Sequence, residues 1–499
     1  MPTWSIRTPL GLGRRLGWSP DPLPWTRGDW AAMAVLAVAS WAVWAPLAAR
    51  AQDKLATLRG VENYAWAVYD QQIWNYAHTG QWYQTIHVGY DNSWDWSGHV
   101  ALWMFPIAAI YKVFPGAATL AWVQIAAVVS GAFPLYFLGR RAIDDRAGAL
   151  LASLAYLAWP ALWAVALSDY QDLVLGVPFL IAAYAASQSG RAFPMAVFAL
   201  LAGAAREEWL MLLPFVPLAA PGAAREKLRQ AGVLALCVVP YLAFLAEVRM
   251  RAAATSQHGT PLLDEVQALL RWPPPFTRTY TDLRWFYAHF LEPYGWLGIL
   301  SPLTLLPLAL AWSVHAGSPP SDGVDAMWNG HIHHMAPICA VLAVGMTLGF
   351  GRVANAARAL ARRGGVGKLA AMGLLLGVGA VGAWGAADTR RVLDWIHVSP
   401  AISPFGTAAP APEWKLLADN VPADASIATD TVGSLLVSGR HSAYTYDDSL
   451  KDKAPGRGLA AVQYLLVRKT DISWVQRAQQ WPGGAKIGET KSYELWKLD

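Results

Sequence analysis

The chain has 499 residues, is 55% apolar and only 15% charged, and contains 27 Trp. Soluble domains carry about 25% charged residues; here the deficit lies in runs of Ala, Leu, Val and Trp that approach the roughly 20 residues needed to cross a bilayer core. These features exclude a soluble globular protein, imply no nucleic-acid partner, and make the net charge of +5 a quantity to be read loop by loop.

The segment 1–29 carries Arg7, Arg14, Arg15 and Arg27. It lacks a small-residue cleavage site after a short apolar core, so no cleavable leader is expected. The run Trp30–Ala49 reads as the first span, and short Arg-rich loops mark the cytoplasmic side. Besides the N-terminus these are Arg140–Arg146, Arg225–Arg229 and Arg352–Arg363. With those inside, residues 50–117 form a first external loop.

The remaining spans are read as follows. His99–Phe114 is short and contains Pro106, so it is expected to lie on or dip into the outer leaflet. Thr119–Leu138, Ala147–Leu167 and Leu173–Ala186 are read as spans, Phe193–Ala205 and Trp209–Ala220 as a hairpin with AREEW at its tip, and Ala231–Val248 as another span. A basic external loop, Arg249–Glu292, precedes an apolar segment broken by Pro302 and Pro307, whose topology stays open. Met335–Phe350 and Leu369–Ala387 complete a transmembrane domain, 30–387, of about ten spans. Cys237 and Cys339 sit in apolar runs and read as packing residues.

From Asp388 the composition changes. EWKLLADN suggests a helix, SIATD, YTYDD and VQYLLVRK suggest strands, and AKIGET with KSYELWKL alternates like a hairpin. The expected architecture is an all-α polytopic membrane domain with outer-face juxtamembrane helices and a small extracytoplasmic α/β domain, 388–499.

Ionisable groups at membrane depth are costly and are functional candidates by default. In NYAWAVYDQQIWNYA, Trp66, Asp70 and Trp74 are spaced i, i+4, i+8 and share a helix face. A carboxylate between two indoles suits a sugar, whose apolar face stacks on rings while its hydroxyls need acceptors; an interfacial aromatic belt with a solvated Asp is the plainer alternative. SDYQD contributes Asp169 and Asp172, although Asp172 could equally cap the next helix. Arg206, Glu207 and Glu208 interrupt an apolar hairpin that has no structural need of three charges. His99 opens the surface helix. His331, His333 and His334 are close enough for a divalent cation but lack a second carboxylate or Cys at ligand spacing, so a metal is left open and headgroup contact is the competing role for His334. Arg278 and Arg284 in the basic loop suit a phosphate, which Arg binds bidentately.

DQQIWN at 70–75, His99, SDY at 168–170, REE at 206–208 and HHMAP at 333–337 together resemble a family of bacterial polytopic membrane proteins of unknown function, itself distantly similar to the GT-C glycosyltransferases such as lipid A aminoarabinose transferase and the protein mannosyltransferases. The resemblance implies an outer-leaflet cavity, a polyprenyl-phosphate sugar donor in the cell envelope, Asp70 as catalytic base or acceptor-positioning carboxylate, and Asp169 as a second carboxylate. The chain departs from the family pattern at Gln171, where His is usual, at Arg206, where Lys is usual, and at Met335, where an aromatic is usual. Gln171 weakens any acid–base role for its own segment. The expected function is transfer of a sugar from a polyprenyl phosphate to an extracytoplasmic lipid, glycan or protein, with Asp70, Asp169 and Glu207 as catalytic candidates. The alternatives are a flippase of a lipid-linked glycan, which would favour paired broken helices in two matching halves, and a non-catalytic envelope scaffold.

Overall fold

In the computed structural model, residues 25–58, 65–86, 99–255, 298, 301–316, 335–362, 364–369, 372–373, 410–440, 442–446 and 462–498 are described. Thr26 starts the first helix, α1 (Arg27–Thr57), with a capping box in which its backbone N–H donates to Asp29 at 3.0 Å and its hydroxyl accepts from the Asp29 N–H. Nothing in ARAQDKLAT breaks a helix, so α1 continues eight residues past Ala49, placing Lys54 near its end.

The next helix, α2 (Ala65–Thr79), packs against α3 (Met104–Val113). At 10 residues α3 is too short to span. The next span is α4 (Ala117–Ser130) running into α5 (Ala132–Ala142) across Gly131. A Cβ on Gly131 would meet the Tyr156 hydroxyl at 2.5 Å, so the glycine permits close helix approach.

The expected span Ala147–Leu167 is instead two helices, α6 (Arg146–Leu157) and α7 (Pro160–Leu167), bent by 50°. Pro160 cannot donate to the ladder and occupies the first turn of α7. After a short 3₁₀ turn, α8 (Val177–Gln188) and α9 (Ala192–Ala205) pack together as a hairpin. Arg206 then adopts extended backbone, and the second limb is not α-helical but two 3₁₀ turns, Glu207–Met211 and Leu213–Ala219. Pro214 and Pro217 remove the donors an α-helix would need there.

The long helices α10 (Ala224–Thr255) and α12 (Ala336–Ala361) flank α11 (Pro302–Ala316) in sequence, and α12 is buried along most of its length. Four described helices are long and apolar enough to cross a membrane, with the bent α6–α7 pair a fifth. The apolar helices α3, α9 and the segment Asp172–Gln188 are shorter. The loop Arg249–Glu292 beyond residue 255, and most of the expected span Leu369–Ala387, lie outside the described residues.

Beyond α13 (Pro412–Asn420) comes a five-stranded sheet in the order β2-β1-β3-β5-β4. β1 (Ile427–Thr429) runs parallel to β2 (Ala443–Thr445) and to β3 (Tyr464–Arg468), with Ile427 opposite both Ala443 and Tyr464. β4 (Ala485–Glu489) and β5 (Tyr493–Lys497) form the expected closing hairpin, and β5 pairs antiparallel with β3. Two helices, α14 (Ser434–Val437) and α15 (Ile472–Gln479), follow β1 and β3.

The sheet unit is hydrogen-bonded to the helical domain. Ala411 N–H and the Trp414 indole both donate to the Ala56 carbonyl at the end of α1, at 2.9 and 3.1 Å. The Thr445 hydroxyl donates to the Ile86 carbonyl at 2.8 Å, and Gln71 of α2 donates to the Arg440 carbonyl at 3.2 Å.

Candidate active site

Three sequence-distant segments meet along α2. The first is SDYQD, held in an extended turn by Gln124 of α4. The Gln124 amide accepts from the Gln171 N–H at 2.8 Å and donates to the Ala166 and Ser168 carbonyls. In that turn Asp169 is fully buried, and one of its oxygens accepts from Lys54 Nζ at 2.9 Å and from the Trp66 indole at 2.8 Å. Lys54 thus supplies the counter-charge that a buried carboxylate requires.

One turn along α2, the Tyr69 hydroxyl donates to Gln171 and Asp172, each at 3.2 Å. The same two side chains receive Arg206 Nη1, at 3.1 and 3.5 Å. Arg206 also pairs with Glu208 at 2.9 Å and donates to His99 Nε2. A guanidinium can only donate, so His99 carries its proton on Nδ1, which donates to Glu207 at 2.9 Å. The other Glu207 oxygen accepts from the Val100 N–H at 3.1 Å. Around one buried guanidinium therefore stand three carboxylates, Asp172, Glu207 and Glu208. Side-chain exposure rises from 0% at Asp169 to 25% at Glu208 and 36% at His99, so a ligand would meet the His99–Glu208 side of the cluster first.

Asp70 lies beside this cluster on α2 but faces elsewhere. It is buried, with one oxygen accepting from the Tyr111 hydroxyl and the other from the Ser438 hydroxyl, each at 2.7 Å. Burial pushes its carboxyl up to about 6, against the two hydrogen bonds that favour the charged form.

The proposed sugar-stacking face is consequently not open. The Trp66 indole is buried and bonded to Asp169. Trp74 is partly exposed, stacks on His78 with centroids 4.5 Å apart, and lies against Gly439 of the sheet unit. Arg278, Arg284 and His334 lie outside the described residues. Among the described residues no three His, Cys, Asp or Glu side chains gather in a metal-binding arrangement.

Several members of the site escape a sequence reading. Lys54 and Gln124 leave a faint signal as polar residues in long apolar helices. Tyr69, Tyr111 and Ser438 leave none.

The chain superposes on ArnT from Cupriavidus metallidurans bound to undecaprenyl phosphate with a TM-score of 0.55 at 12% identity, covering 94% of this chain and 98% of that one. It superposes on the apo state of the same protein with a TM-score of 0.54 at 11% identity, covering 93% and 97%. The Archaeoglobus fulgidus oligosaccharyltransferase aligns at 0.40 and 12% identity over 88% of this chain and 69% of that one. By the first two superpositions the fold is that of ArnT, a GT-C glycosyltransferase. Within that architecture the chain belongs to the family described as Predicted membrane protein (DUF2079), whose pattern matches residues 61–486. No curated protein matches the sequence.

Proposed function

We propose that the protein is an integral-membrane glycosyltransferase that moves a sugar from a polyprenyl-phosphate donor to an acceptor hydroxyl on the extracytoplasmic side, where the sheet unit also lies. The observation that carries this reading is the meeting of Asp169–Asp172 and Glu207–Glu208 along α2, the helix that also bears Asp70 and touches the C-terminal sheet unit. Asp169, Asp172, Glu207 and Glu208 around a single Arg and a single Lys, with Asp70 beside them, form a cluster suited to polar hydroxyls rather than to a bare anion. ArnT, which shares the fold, binds undecaprenyl phosphate, which favours the same class of donor here.

In the proposed step Asp70 removes the acceptor hydroxyl proton as that oxygen bonds to the anomeric carbon. The bond from that carbon to the phosphate oxygen breaks, its electron pair leaves with the polyprenyl phosphate, and the anomeric configuration inverts. A base poised near 6 is ionised at neutral pH yet still basic enough to take a proton. Arg278 and Arg284 would hold the phosphate. Arg206, already engaged by Glu208 and Asp172, would organise the acceptor side. Lys54 and Trp66 hold Asp169 in place at the buried end of the cluster.

The test is reconstitution of the full chain in liposomes with polyprenyl-phosphate sugar, radiolabelled in the sugar, and envelope extract as acceptor. Label should pass to the acceptor with release of one polyprenyl phosphate per transfer. Label that crosses the bilayer still attached to its lipid would make the protein a carrier and end the proposal.

A further inference from the structure

The other end of the bundle holds a cavity that the transfer reaction does not use. Lys54, bonded to Asp169, and Asp29, at the cavity, are 25 positions apart on α1, or about 37 Å at 1.5 Å per residue. The cavity, of about 550 Å³, lies between the start of α1 and helices α5, α8 and α9. Its walls include Trp25, Phe133, Phe137 and Phe198, and its polar lining includes Arg140, Arg141 and Arg191.

Among the described residues this lining carries more arginines than carboxylates. Asp29 is the one carboxylate among the described residues that line the cavity. It is taken by Arg140 at 2.9 Å, by the Tyr136 hydroxyl at 2.8 Å and by Arg146 at 3.6 Å. Arg191, in the turn between α8 and α9, has a buried Nε without a hydrogen-bond partner among the described residues. Burial and the neighbouring Arg141 charge hold its guanidinium below the usual range. Like charges brought together beside apolar walls call for an anion, and walls this aromatic call for an anion with a hydrocarbon tail. The segment preceding Trp25 carries Arg7, Arg14 and Arg15 against Asp21, the same net sign as the cavity mouth.

We infer that this cavity binds an anionic glycerophospholipid of the leaflet opposite the Asp70–Asp172 site, its phosphate between Arg141 and Arg191 and an acyl chain along Phe133, Phe137 and Phe198. Basic pockets between spans on the Arg-rich side recognise lipid headgroups in this manner, and a basic side chain near an anionic membrane surface is worth about fivefold in affinity. The lipid would fill the gap between the α8–α9 turn and α5. It is unrelated to the sugar donor, which belongs to the other end.

Native mass spectrometry of the full chain in neutral detergent, titrated with phosphatidylglycerol, phosphatidylcholine or inorganic phosphate, tests this. One phosphatidylglycerol should be retained per chain in preference to phosphatidylcholine, and inorganic phosphate should not displace it. Arg141→Gln with Arg191→Gln should weaken retention about 25-fold. Arg225→Gln with Lys227→Gln, which removes two charges away from the cavity lining, should leave it unchanged. A photoactivatable phosphatidylglycerol should label the parental chain at α5 and α9, a readout that survives if the double variant misfolds. Equal retention of the two lipids, full retention by the Arg141/Arg191 variant, or labelling confined to other helices would overturn the inference.

Discussion

The Ser438 hydroxyl, in the sheet unit, donates a 2.7 Å hydrogen bond to the carboxylate of Asp70, 368 residues earlier on α2. The buried acid of the helical domain is thus completed by a residue from the C-terminal one. Ser438 stands directly after α14, whose hydroxyl also reaches back to the Leu435 carbonyl, so its position is fixed by the helix before it.

Asp70→Asn should insert and fold, bind donor, and lose transfer by about 10²–10⁴-fold, the usual consequence of removing a general base. Sugar transfer in reconstituted liposomes is the measurement. If Asp70→Asn transfers at the parental rate while Glu207→Gln is dead, the base is Glu207 and the His99–Glu207 bond is part of the chemistry.

Asp70 should also leave a signature in stability. Its folded pKa, about 6, is above its unfolded value of 3.8. Its titration therefore contributes stability that is full below about pH 4 and is lost as pH rises through 6. Asp70→Asn, neutral throughout, should gain thermal stability over the parent above pH 7, by at most about 3 kcal/mol for two pKa units. The gain should vanish toward pH 4. A difference independent of pH would mean that Asp70 is not the group burdened by burial.

Ser438→Ala removes a hydrogen bond that favours the ionised carboxylate, leaving Tyr111 as the remaining donor named above. The Asp70 pKa should rise further, by about one unit for a bond to a charged group. The ascending limb of the pH–rate profile should move to higher pH by the same amount, while the maximal rate changes little. Ser438→Thr should restore the parental profile. An unshifted limb would separate the hydroxyl from the acid.

Lys54→Met leaves Asp169 buried without its cation and should destabilise the chain by about 3–5 kcal/mol. Combining it with Asp169→Asn should recover much of that loss, since both charges are then gone. Melting curves of the two single variants and the double variant give the coupling directly.

Gly176→Ala tests how the charged hairpin tip is held. A Cβ there would overlap the Trp209 indole, which donates to the Leu173 carbonyl at 2.9 Å. Trp209 follows Arg206–Glu208, so its displacement should cost about 1–3 kcal/mol and lower transfer. Trp209→Phe in the Gly176→Ala background should recover stability by making room.

Much of the polar site could be read from the sequence because charge in an apolar run is expensive and therefore conspicuous. Asp70, Asp169, Asp172 and Arg206–Glu208 stand out on that ground. Their partners do not. Lys54 looks like an ordinary charge after a span until α1 is seen to run on to Thr57. Ser438 sits in an unremarkable VSGR, and only the tertiary fold brings it to α2. The assumption that indoles flanking a carboxylate stay open to a sugar fails for Trp66, whose N–H satisfies Asp169. In the sheet, strand positions follow from alternation and β-branched content, but the parallel order β2-β1-β3 depends on crossovers that no local pattern encodes.

The seam between sheet and helices bears on how such chains could be recombined. Ala56, Gln71, Ile86 and Asp70 all meet the C-terminal unit through hydrogen bonds. A hybrid that joins the helices of one relative to the sheet of another at the composition change near residue 388 would therefore cut through the acid's own coordination. Exchanging the stretch from the end of α1 through residue 86 together with the sheet keeps those partners in one parent. Only hybrids of that second kind should inherit an intact Asp70.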